Sequence, residues 1–263
     1  MTVHFLGTGS ALTSAERTTT MLAFEAPNGP PAGGSGDEAA SAVFLVDCGG
    51  DAVQRILASG LAPADIDAVV LTHEHPDHIG GFPLLVEKLW LHGRRAPVPV
   101  YGLATTLAVA RCLFEAFDTS QWKDLPALEW HAVADEPGAA VFERGPFRVT
   151  ASPVDHPVPT IGLRVEAGGA VVAYSCDTAP CGTVATLARG ADLLVHEATG
   201  HLAGVHSSAS DAARCAAAAG VRRLVLVHLP PCVSGEALAE AQALFPATTL
   251  ADDGDGVEVA ARL

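Results

Sequence analysis

The sequence predicts an α/β protein, and three features of the chain support that prediction. The 263 residues are 49% hydrophobic and 17% charged, a composition typical of a globular protein with a large core. Short apolar runs rich in valine and leucine, typical of buried strands, alternate with segments of helical character. Five of these runs end in a residue that can bind a metal, and sites in layered α/β folds gather where strands end. No linker divides the chain, so we expect a single domain over residues 1–263.

The chain begins with strands that are joined by turns. Residues 3–6 are an apolar strand that runs into the glycine-containing turn 7–10, which is predicted to border the site. Residues 18–25 and 41–46 are predicted to pair as strands. The segment 27–40 between them is rich in glycine, proline and alanine, which predicts a mobile hairpin loop.

The strongest functional signal is a histidine-rich stretch that follows the apolar strand 68–71. The stretch 72–78 contains four candidate metal ligands, which are His73, His75, Asp77 and His78. Because Pro76 cannot lie in a helix interior, we expect the ligands on a constrained loop at the strand end. Imidazole and carboxylate together suit zinc or a neighbouring first-row metal. An isolated pair of histidines would indicate an ordinary polar loop, but this spacing after a buried strand favours a metal site.

The other elements of the first half are assigned from periodicity and turn residues. Helices are predicted over 51–59, 80–91 and 105–117. Strands are predicted over 98–101, 128–133, 140–142 and 147–152. Asp47 ends the strand before the first helix and is a further ligand candidate. A carboxylate beside a glycine turn, however, more often holds loop backbone by hydrogen bonds.

In the second half, four apolar strands deliver polar residues at their carboxyl ends. The strands are 148–152 before Asp155 and His156, 171–175 before Asp177, 193–195 before His196 and Glu197, and 224–227 before His228. Together with strand 68–71, this repeated placement predicts that the polar residues converge at one edge. Helices are predicted between these strands over 181–189, 208–219 and 235–244, with Ser208 as an N-cap.

Charge and cysteine content disfavour several classes of partner. The net charge is −15 and the only lysines are Lys88 and Lys123, which disfavours a long nucleic acid as partner apart from a local patch at 94–95. No apolar run approaches the ~20 residues of a membrane span and no signal peptide is recognisable, so we expect a cytoplasmic protein without a membrane partner. The six cysteines contain no Cys-x-x-Cys pair, and Cys176 and Cys181 flank the predicted site as weak ligand candidates.

Several sequence motifs occur along the chain as a recognisable set. They are Phe-Leu-Gly-Thr-Gly-Ser-Ala at 5–11, Phe-Leu-Val-Asp-Cys-Gly at 44–49, and the stretch 72–78 with Gly-Gly-Phe-Pro at 80–83. This set resembles the metallo-β-lactamase superfamily. A second group is similar to the tRNase Z branch, the tRNA 3′-processing phosphodiesterases. It comprises His-Pro-Val-Pro at 156–159, Tyr-Ser-Cys-Asp-Thr at 174–178, His-Glu-Ala-Thr at 196–199, His-Ser-Ser at 206–208 and Leu-Val-His at 226–228. The resemblance runs from residue 3 to Gly254.

The resemblance implies an αββα four-layer sandwich with two metals at one edge of the sheets. By the family pattern, His73, His75 and His156 hold the first metal, and Asp77, His78 and His228 hold the second, with Asp177 bridging. Two zinc ions are implied because His75 stands where diiron relatives carry glutamate, with manganese or iron as alternatives.

The resemblance also implies a pair of residues beside the metals, which are Glu197 and His206. In the mechanism that we expect, a metal-bridging hydroxide oriented by Asp77 attacks the substrate. His206 then protonates the departing oxygen, and Glu197 holds the ring of His206 in position. Without the resemblance, Glu197 and His206 would be equally well explained as residues of a surface loop.

The chain departs from the tRNase Z branch at three places. It keeps only Arg17 of the basic loop after the first glycine turn, and Leu-Pro-Pro-Cys at 229–232 follows His228 where the family has Ser-Arg-Tyr. His156 and Asp177 are 21 positions apart, which leaves room for two strands and a turn but not for the arm that clamps tRNA. These departures argue against tRNA cleavage and leave the predicted hydrolytic centre intact.

The predicted activity is therefore that of a dinuclear-metal phosphodiesterase with a small-molecule substrate, cyclic nucleotides being one candidate. The alternatives are a sulfatase, lactonase or thioesterase on the same centre, a tRNA 3′-processing endonuclease, and a non-catalytic binding protein that kept the fold. Specificity is predicted to come from Arg17, the loop 27–40, residues 90–95 and the region around Trp122 and Trp130. Relatives are often dimers, which implies a homodimer as one arrangement.

Overall fold

Two β-sheets form the centre of the molecule in the computed structural model, which describes residues 1–28 and 41–261. Within these ranges each sheet has seven strands. The first sheet contains, in spatial order, β14 (Gly256–Glu258), β1 (Thr2–Gly7), β2 (Met21–Pro27), β3 (Ser41–Val46), β4 (Ile66–Leu71), β5 (Val98–Gly102) and β6 (Leu128–Ala132). The second contains β13 (Thr248–Leu250), β12 (Arg223–Val227), β11 (Leu193–Glu197), β10 (Ala170–Tyr174), β9 (Ile161–Ala167), β8 (Phe147–Pro153) and β7 (Ala139–Arg144).

Helices cover the outer face of each sheet. They are α1 (Ala52–Ala58), α2 (Pro76–Ile79), α3 (Phe82–Leu91), α4 (Ala104–Glu115), α5 (Gly182–Leu187), α6 (Ala209–Ala219) and α7 (Gly235–Leu244). Helices α1, α3 and α4 share an apolar cluster with the first sheet, and α5, α6 and α7 share another with the second. The predicted αββα sandwich is thereby confirmed. None of the helices in the described ranges is long and apolar enough to cross a bilayer.

The two sheets are held together by an apolar core that both contribute to. Phe44 of β3 stacks on Phe24 of β2 with ring centroids 4.9 Å apart. Phe142 and Phe147 of the second sheet meet the same ring edge-on, at 5.2 and 4.9 Å. Burying a side chain of this size stabilises the fold by about 1.5–3 kcal/mol, so these four rings help to hold the two sheets together.

Strand direction explains why the polar residues meet at one edge. The first sheet is parallel from β3 to β6, and the second is parallel from β10 to β13. Parallel neighbours end at the same side of a sheet, so the residues after β10, β11 and β12 come together in the second sheet. The residues after β4, in the first sheet, reach the same edge through contacts between the sheets. Residues 156 and 177 are separated by β9, β10 and their turn, as the spacing predicted.

Backbone hydrogen bonds join the two sheets at this same edge. Leu229, directly after His228, donates to the carbonyl oxygen of Thr8 and accepts from the amide of Ser10, both at 2.9 Å. The amide of Ile161 donates to the carbonyl oxygen of Thr72 at 3.2 Å. The loops that carry the polar residues are therefore fixed to one another as well as to their own strands.

The structure differs from the sequence-based assignment at several elements. Asp77 and His78 lie in the one-turn helix α2 and not on a loop, because Pro76 occupies its first position, where a missing N–H costs nothing. The second strand begins at Met21 and not at residue 18. The short strands β13 and β14 were not predicted at all, since three residues carry too little periodicity. Nearly all of the predicted hairpin loop 27–40 lies outside the described residues.

Gly49 makes a close backbone contact that positions α2. A Cβ added to Gly49 would lie 1.7 Å from the carbonyl oxygen of Asp77, a distance at which the backbone must move. We expect Gly49→Ala to lower the free energy of unfolding by about 1–3 kcal/mol through overpacking, as measured by denaturant titration. Gly182→Ala is the matched control because a Cβ there meets nothing within 4 Å. Equal stability of the two variants would show that this contact is not needed.

Candidate metal centre

Three histidines form the first group of candidate ligands. His73 and His75 follow β4, whereas His156 follows β8 of the other sheet. His75 Nδ1 lies 3.1 Å from His73 Nε2 and 3.2 Å from His156 Nε2. One ligand atom from each residue falls within 4.8 Å of the others, so the three rings could hold one metal ion.

Two carboxylates and two histidines form the second group. Asp77, His78, Asp177 and His228 also bring one ligand atom each within 4.8 Å of the others. His228 Nε2 lies 3.3 Å from an oxygen of Asp77 and 3.3 Å from an oxygen of Asp177. His78 Nε2 lies 3.5 Å from the other oxygen of Asp177. The structure thus brings all seven predicted ligands to one edge.

Unpartnered atoms in the second group indicate that a cation belongs there. His78 Nε2 and Asp177 Oδ1 are fully buried, and neither has a hydrogen-bond partner in the described part of the chain. Leaving such atoms unpaired is costly, and buried polar atoms are nearly always satisfied. A divalent ion between a neutral imidazole and a carboxylate would satisfy both, so the donor set fits a metal.

The pKa directions of His73 and Asp177 agree with this fit, whereas that of His78 is opposite. Burial alone would lower the pKa of His78, but Asp177 and Asp47 outweigh it and raise that pKa well above the ordinary value, so a metal on Nε2 would have to displace a proton. Burial, helped by the neighbouring His78, holds the pKa of His73 well below its ordinary value, which keeps the ring in its neutral, ligating form. Burial alone would raise the pKa of Asp177, but His228 and His78 outweigh it and hold that pKa well below the ordinary value. Asp177, which is only 2% exposed, is therefore a carboxylate.

Asp47 positions the histidine-rich stretch through hydrogen bonds to Thr72 and His78. Its Oδ1 accepts a hydrogen bond from the Thr72 amide at 2.8 Å, and its Oδ2 accepts from the Thr72 hydroxyl at 2.7 Å and from His78 Nδ1 at 2.8 Å. The prediction that Asp47 holds loop backbone is confirmed. The sequence did not predict the hydrogen bond between Asp47 and His78. Because this bond uses Nδ1 of the ring, Nε2 is left to face the second group.

We expect Asp47→Asn to weaken metal binding by about 10- to 100-fold, the usual effect of losing a carboxylate that orients a histidine ligand. Asparagine has only one acceptor oxygen, so it cannot accept from both the Thr72 amide and His78 Nδ1, and the tautomer of the ring is no longer fixed. Zinc affinity measured by competition with a chromogenic chelator tests this. Asp51→Asn is the control, because Asp51 caps α1 and asparagine caps equally well. Wild-type zinc affinity in Asp47→Asn would refute the role given to Asp47.

Cys176 contacts a residue of the first group, whereas Cys181 does not. Cys176 Sγ is 3.0 Å from the Thr72 hydroxyl and 3.5 Å from His73 Nδ1. Burial raises the pKa of its thiol well above the ordinary value, so it is a protonated hydrogen-bond donor to Thr72. Cys181 contacts only the hydroxyl of Thr178, at 3.5 Å, among the hydrogen bonds of the described residues. All six cysteines are free.

Glu197 and His206 lie beside the second group as a hydrogen-bonded pair. Glu197 is fully buried at the end of β11, and its Oε1 accepts from His206 Nδ1 at 3.0 Å and from the Ser207 amide at 2.8 Å. The ring of His206 stacks on His228 with centroids 5.5 Å apart. Burial alone would lower the pKa of His206, but the bond to Glu197 and its charge outweigh this and raise it.

The loop that carries His206 also orients a ligand of the first group. His156 Nδ1 donates to the carbonyl oxygen of Val205 at 2.9 Å, so Nε2 of His156 faces His75 without a proton. His196, next to Glu197 on β11, has its Nδ1 bonded to a backbone carbonyl at 2.7 Å and stands outside every ligand group of the described residues. His201 is 62% exposed and pairs with Asp211 at 3.0 Å.

Arg17 and the tryptophans do not support the predicted specificity roles. The guanidinium of Arg17 is bonded to Thr8, Ala251 and Asp252, so it holds the loop after β1 in place. Trp90 and Trp122 stack on each other at 5.1 Å, and Trp130 packs against Phe82 at 5.5 Å. These side chains have structural partners, which sequence spacing could not reveal.

The comparisons with known proteins agree with this geometry. The family described as the beta-lactamase superfamily domain matches residues 43–229. A protein named Ribonuclease Z from Methanothermobacter thermautotrophicus is 30% identical, over 99% of this chain and 97% of that protein. That alignment runs over 319 positions, whereas this chain has 263 residues, so at least 56 positions of the relative have no counterpart here.

Solved structures share the fold. The metallo-beta-lactamase fold protein YhfI from Bacillus subtilis has a TM-score of 0.76 and 25% identity, covering 97% of this chain and 98% of that one. The short form of human tRNase Z has a TM-score of 0.77 and 23% identity, covering 99% of this chain and 100% of that one. At this level of identity the human structure supports the architecture alone.

Proposed function

This chain belongs to the metallo-β-lactamase superfamily, in its ribonuclease Z-like branch, and is a metal-dependent hydrolase; we propose that it is a two-metal phosphodiesterase of small molecules. The observation that carries the proposal is the Glu197–His206 pair, which lies against His228 of the second ligand group. An acid beside a metal centre suits a reaction in which an alkoxide leaves, as in the hydrolysis of a phosphodiester.

We propose two zinc ions, with manganese or iron as alternatives, for the seven ligands. His73, His75 and His156 would hold one ion, and Asp77, His78 and His228 the other, with Asp177 shared between them. Such ions stabilise negative charge on phosphoryl oxygens and lower the pKa of a bound water. The imidazole-rich donor set supports zinc.

The residues of the chain supply the remaining steps. Asp77, with a side chain 15% exposed at the mouth of the site, accepts a hydrogen bond from the attacking water and so orients it. His206 Nε2 has no protein partner within the described residues and donates its proton to the departing oxygen. Glu197 holds His206 Nδ1, which fixes the ring orientation and stabilises the imidazolium before the proton is transferred.

Three observations favour a small substrate over a long RNA. The net charge of −15 offers little attraction to a polyanion. At least 56 positions of the archaeal relative are missing from this chain, which supports the absence of a substrate-clamping arm. The guanidinium of Arg17 is already bonded to the loops around it. A cytoplasmic location and a homodimer stay predictions.

A second candidate function is the 3′ processing of RNA, because the relatives are named Ribonuclease Z.

The lactonase alternative has less support, since a tyrosine would have to serve as oxyanion donor. Tyr174 is 1% exposed in the core between the sheets. Tyr101 stacks on His131 at 4.8 Å, and the sequence has no third tyrosine.

A substrate panel on the zinc-loaded protein tests the proposal. The panel contains bis-p-nitrophenyl phosphate, 2′,3′- and 3′,5′-cyclic AMP, a tRNA precursor with a 3′ trailer, p-nitrophenyl sulfate, a lactone and a thioester. We expect kcat/KM to be highest on a small phosphodiester and to disappear after chelation. Preferred cleavage of the tRNA precursor would establish the second candidate, and preference for the sulfate or acyl compounds would refute both.

A further inference from the structure

Thr199 touches both halves of the proposed site, although it is neither a predicted ligand nor a predicted acid. Its backbone N–H donates to Glu197 Oε2 at 2.9 Å, on the side of that carboxylate away from His206. Its hydroxyl oxygen lies 2.6 Å from His228 Nδ1 and 2.9 Å from the carbonyl oxygen of the same residue. One side chain therefore meets both the ring and the backbone of a single histidine.

The proton count of these two bonds determines the tautomer of His228. A carbonyl oxygen only accepts, so the single proton of the Thr199 hydroxyl goes to the His228 carbonyl. The ring must then supply the proton of the second bond from its Nδ1. In the neutral ring the lone pair of Nε2 then faces Asp77 and Asp177, both 3.3 Å away, and this contact with two carboxylates is favourable only when a cation lies between them.

The backbone of His228 needs this support. His228 has φ = 53°, in the left-handed region that residues other than glycine rarely adopt. Strained conformations of this kind persist only where the surroundings fix them. The bond from the Thr199 hydroxyl to the carbonyl fixes the residue at its backbone, while the bond from Nδ1 fixes the same residue at its ring.

We propose that Thr199 is a positioning residue that sets the tautomer and ring orientation of His228 and joins the second ligand group to the Glu197–His206 pair. This inference rests on the proposed function, because it gives His228 the role of a metal ligand. Strand β11 ends at Glu197, and Thr199 follows two residues later. The turn after this strand therefore presents both the carboxylate that accepts from His206 and the hydroxyl that binds His228.

Zinc affinity of three variants of the full chain tests the inference. In Thr199→Val the shape is kept and the hydroxyl is lost, so we expect the more weakly held zinc to bind about 10- to 100-fold less tightly. Thr199→Ala, which adds no bulk, should give the same loss. Thr199→Ser keeps the hydroxyl and should restore affinity to within a few-fold of wild type. Chelator competition, with zinc content by elemental analysis, measures each without reference to turnover.

Thr106→Val is the matched control, because the hydroxyl of Thr106 in α4 is buried without a hydrogen-bond partner in the described part of the chain. It should bind zinc as the wild type does. The inference is overturned if Thr199→Val and Thr199→Ala bind zinc with wild-type affinity, or if Thr199→Ser loses as much affinity as they do. In either case the proposed function still stands, provided that the wild type binds two zinc ions. A wild-type protein that binds no zinc would overturn both.

Discussion

Replacing Asp177 by asparagine is expected to cause a large loss of hydrolysis together with a loss of metal binding. Asp177 is 2% exposed and lies between two histidines, 3.5 Å from His78 Nε2 and 3.3 Å from His228 Nε2. Asparagine fills the same space but removes the negative charge that these ligands share. Metal ions contribute several kcal/mol to such reactions and each ~1.4 kcal/mol is tenfold in rate, so we expect kcat/KM to fall about 10³-fold or more.

The control for this variant is Asp192, a second buried carboxylate that lies at the starts of β10 and β11, away from the ligands. Asp192 directly precedes β11 and accepts a hydrogen bond from the Val171 amide at 3.0 Å. Asp192→Asn makes the same chemical change away from the ligands and should keep its zinc. Zinc content and melting temperature of both variants are measured with and without added metal. An Asp177→Asn protein with two zinc ions and wild-type turnover would refute the ligand set.

Replacing His206 by alanine is expected to slow turnover about 10²- to 10⁴-fold while the zinc content stays at the wild-type level. His206 is bonded to Glu197 and lies against the rings of His156 and His228, and it is not among the seven predicted ligands, so we expect its loss to leave them in place. The defect should depend on the leaving group. A cyclic nucleotide releases an alkoxide that needs a proton, whereas p-nitrophenolate leaves without one, so bis-p-nitrophenyl phosphate should show a much smaller loss.

His201→Ala is the matched control for His206→Ala. His201 lies in the same loop but is 62% exposed and pairs with Asp211, outside the ligand groups of the described residues. It should keep both zinc and turnover. If His206→Ala loses its zinc, or if its turnover falls by the same factor with the cyclic nucleotide and with bis-p-nitrophenyl phosphate, then His206 does not protonate the leaving group.

Much of the architecture could be predicted because apolar strands have a local signal. The strands before His73, His156, Asp177 and His228 are all present, and each ends one to three positions before its polar residue. Helix α6 begins after Ser208 and ends at Gly220 in the left-handed conformation, both of which follow from capping preferences. The resemblance then supplied the four-layer order, which no local pattern encodes.

The contacts that orient the site could not be predicted, because they join residues far apart in the chain. Asp47 binds His78 across 31 positions, and Thr199 binds His228 across 29. Asp47, Cys176 and His228 all have φ between 53° and 62°, although none is glycine. Sequence reasoning assigns such conformations to glycine or asparagine, so strain at the three strand exits was invisible to it.

The sequence by itself determined the chemistry that is available here: imidazoles and carboxylates at the ends of buried strands, on a chain too acidic to favour long RNA. Residue type and strand periodicity are local properties, and they can be read in order along the chain. Only the tertiary structure decided which oxygen or nitrogen of each side chain faces the centre and that Arg17 has other partners. Those outcomes depend on hydrogen bonds between loops of two different sheets, whose geometry is set by packing and not by neighbours in sequence.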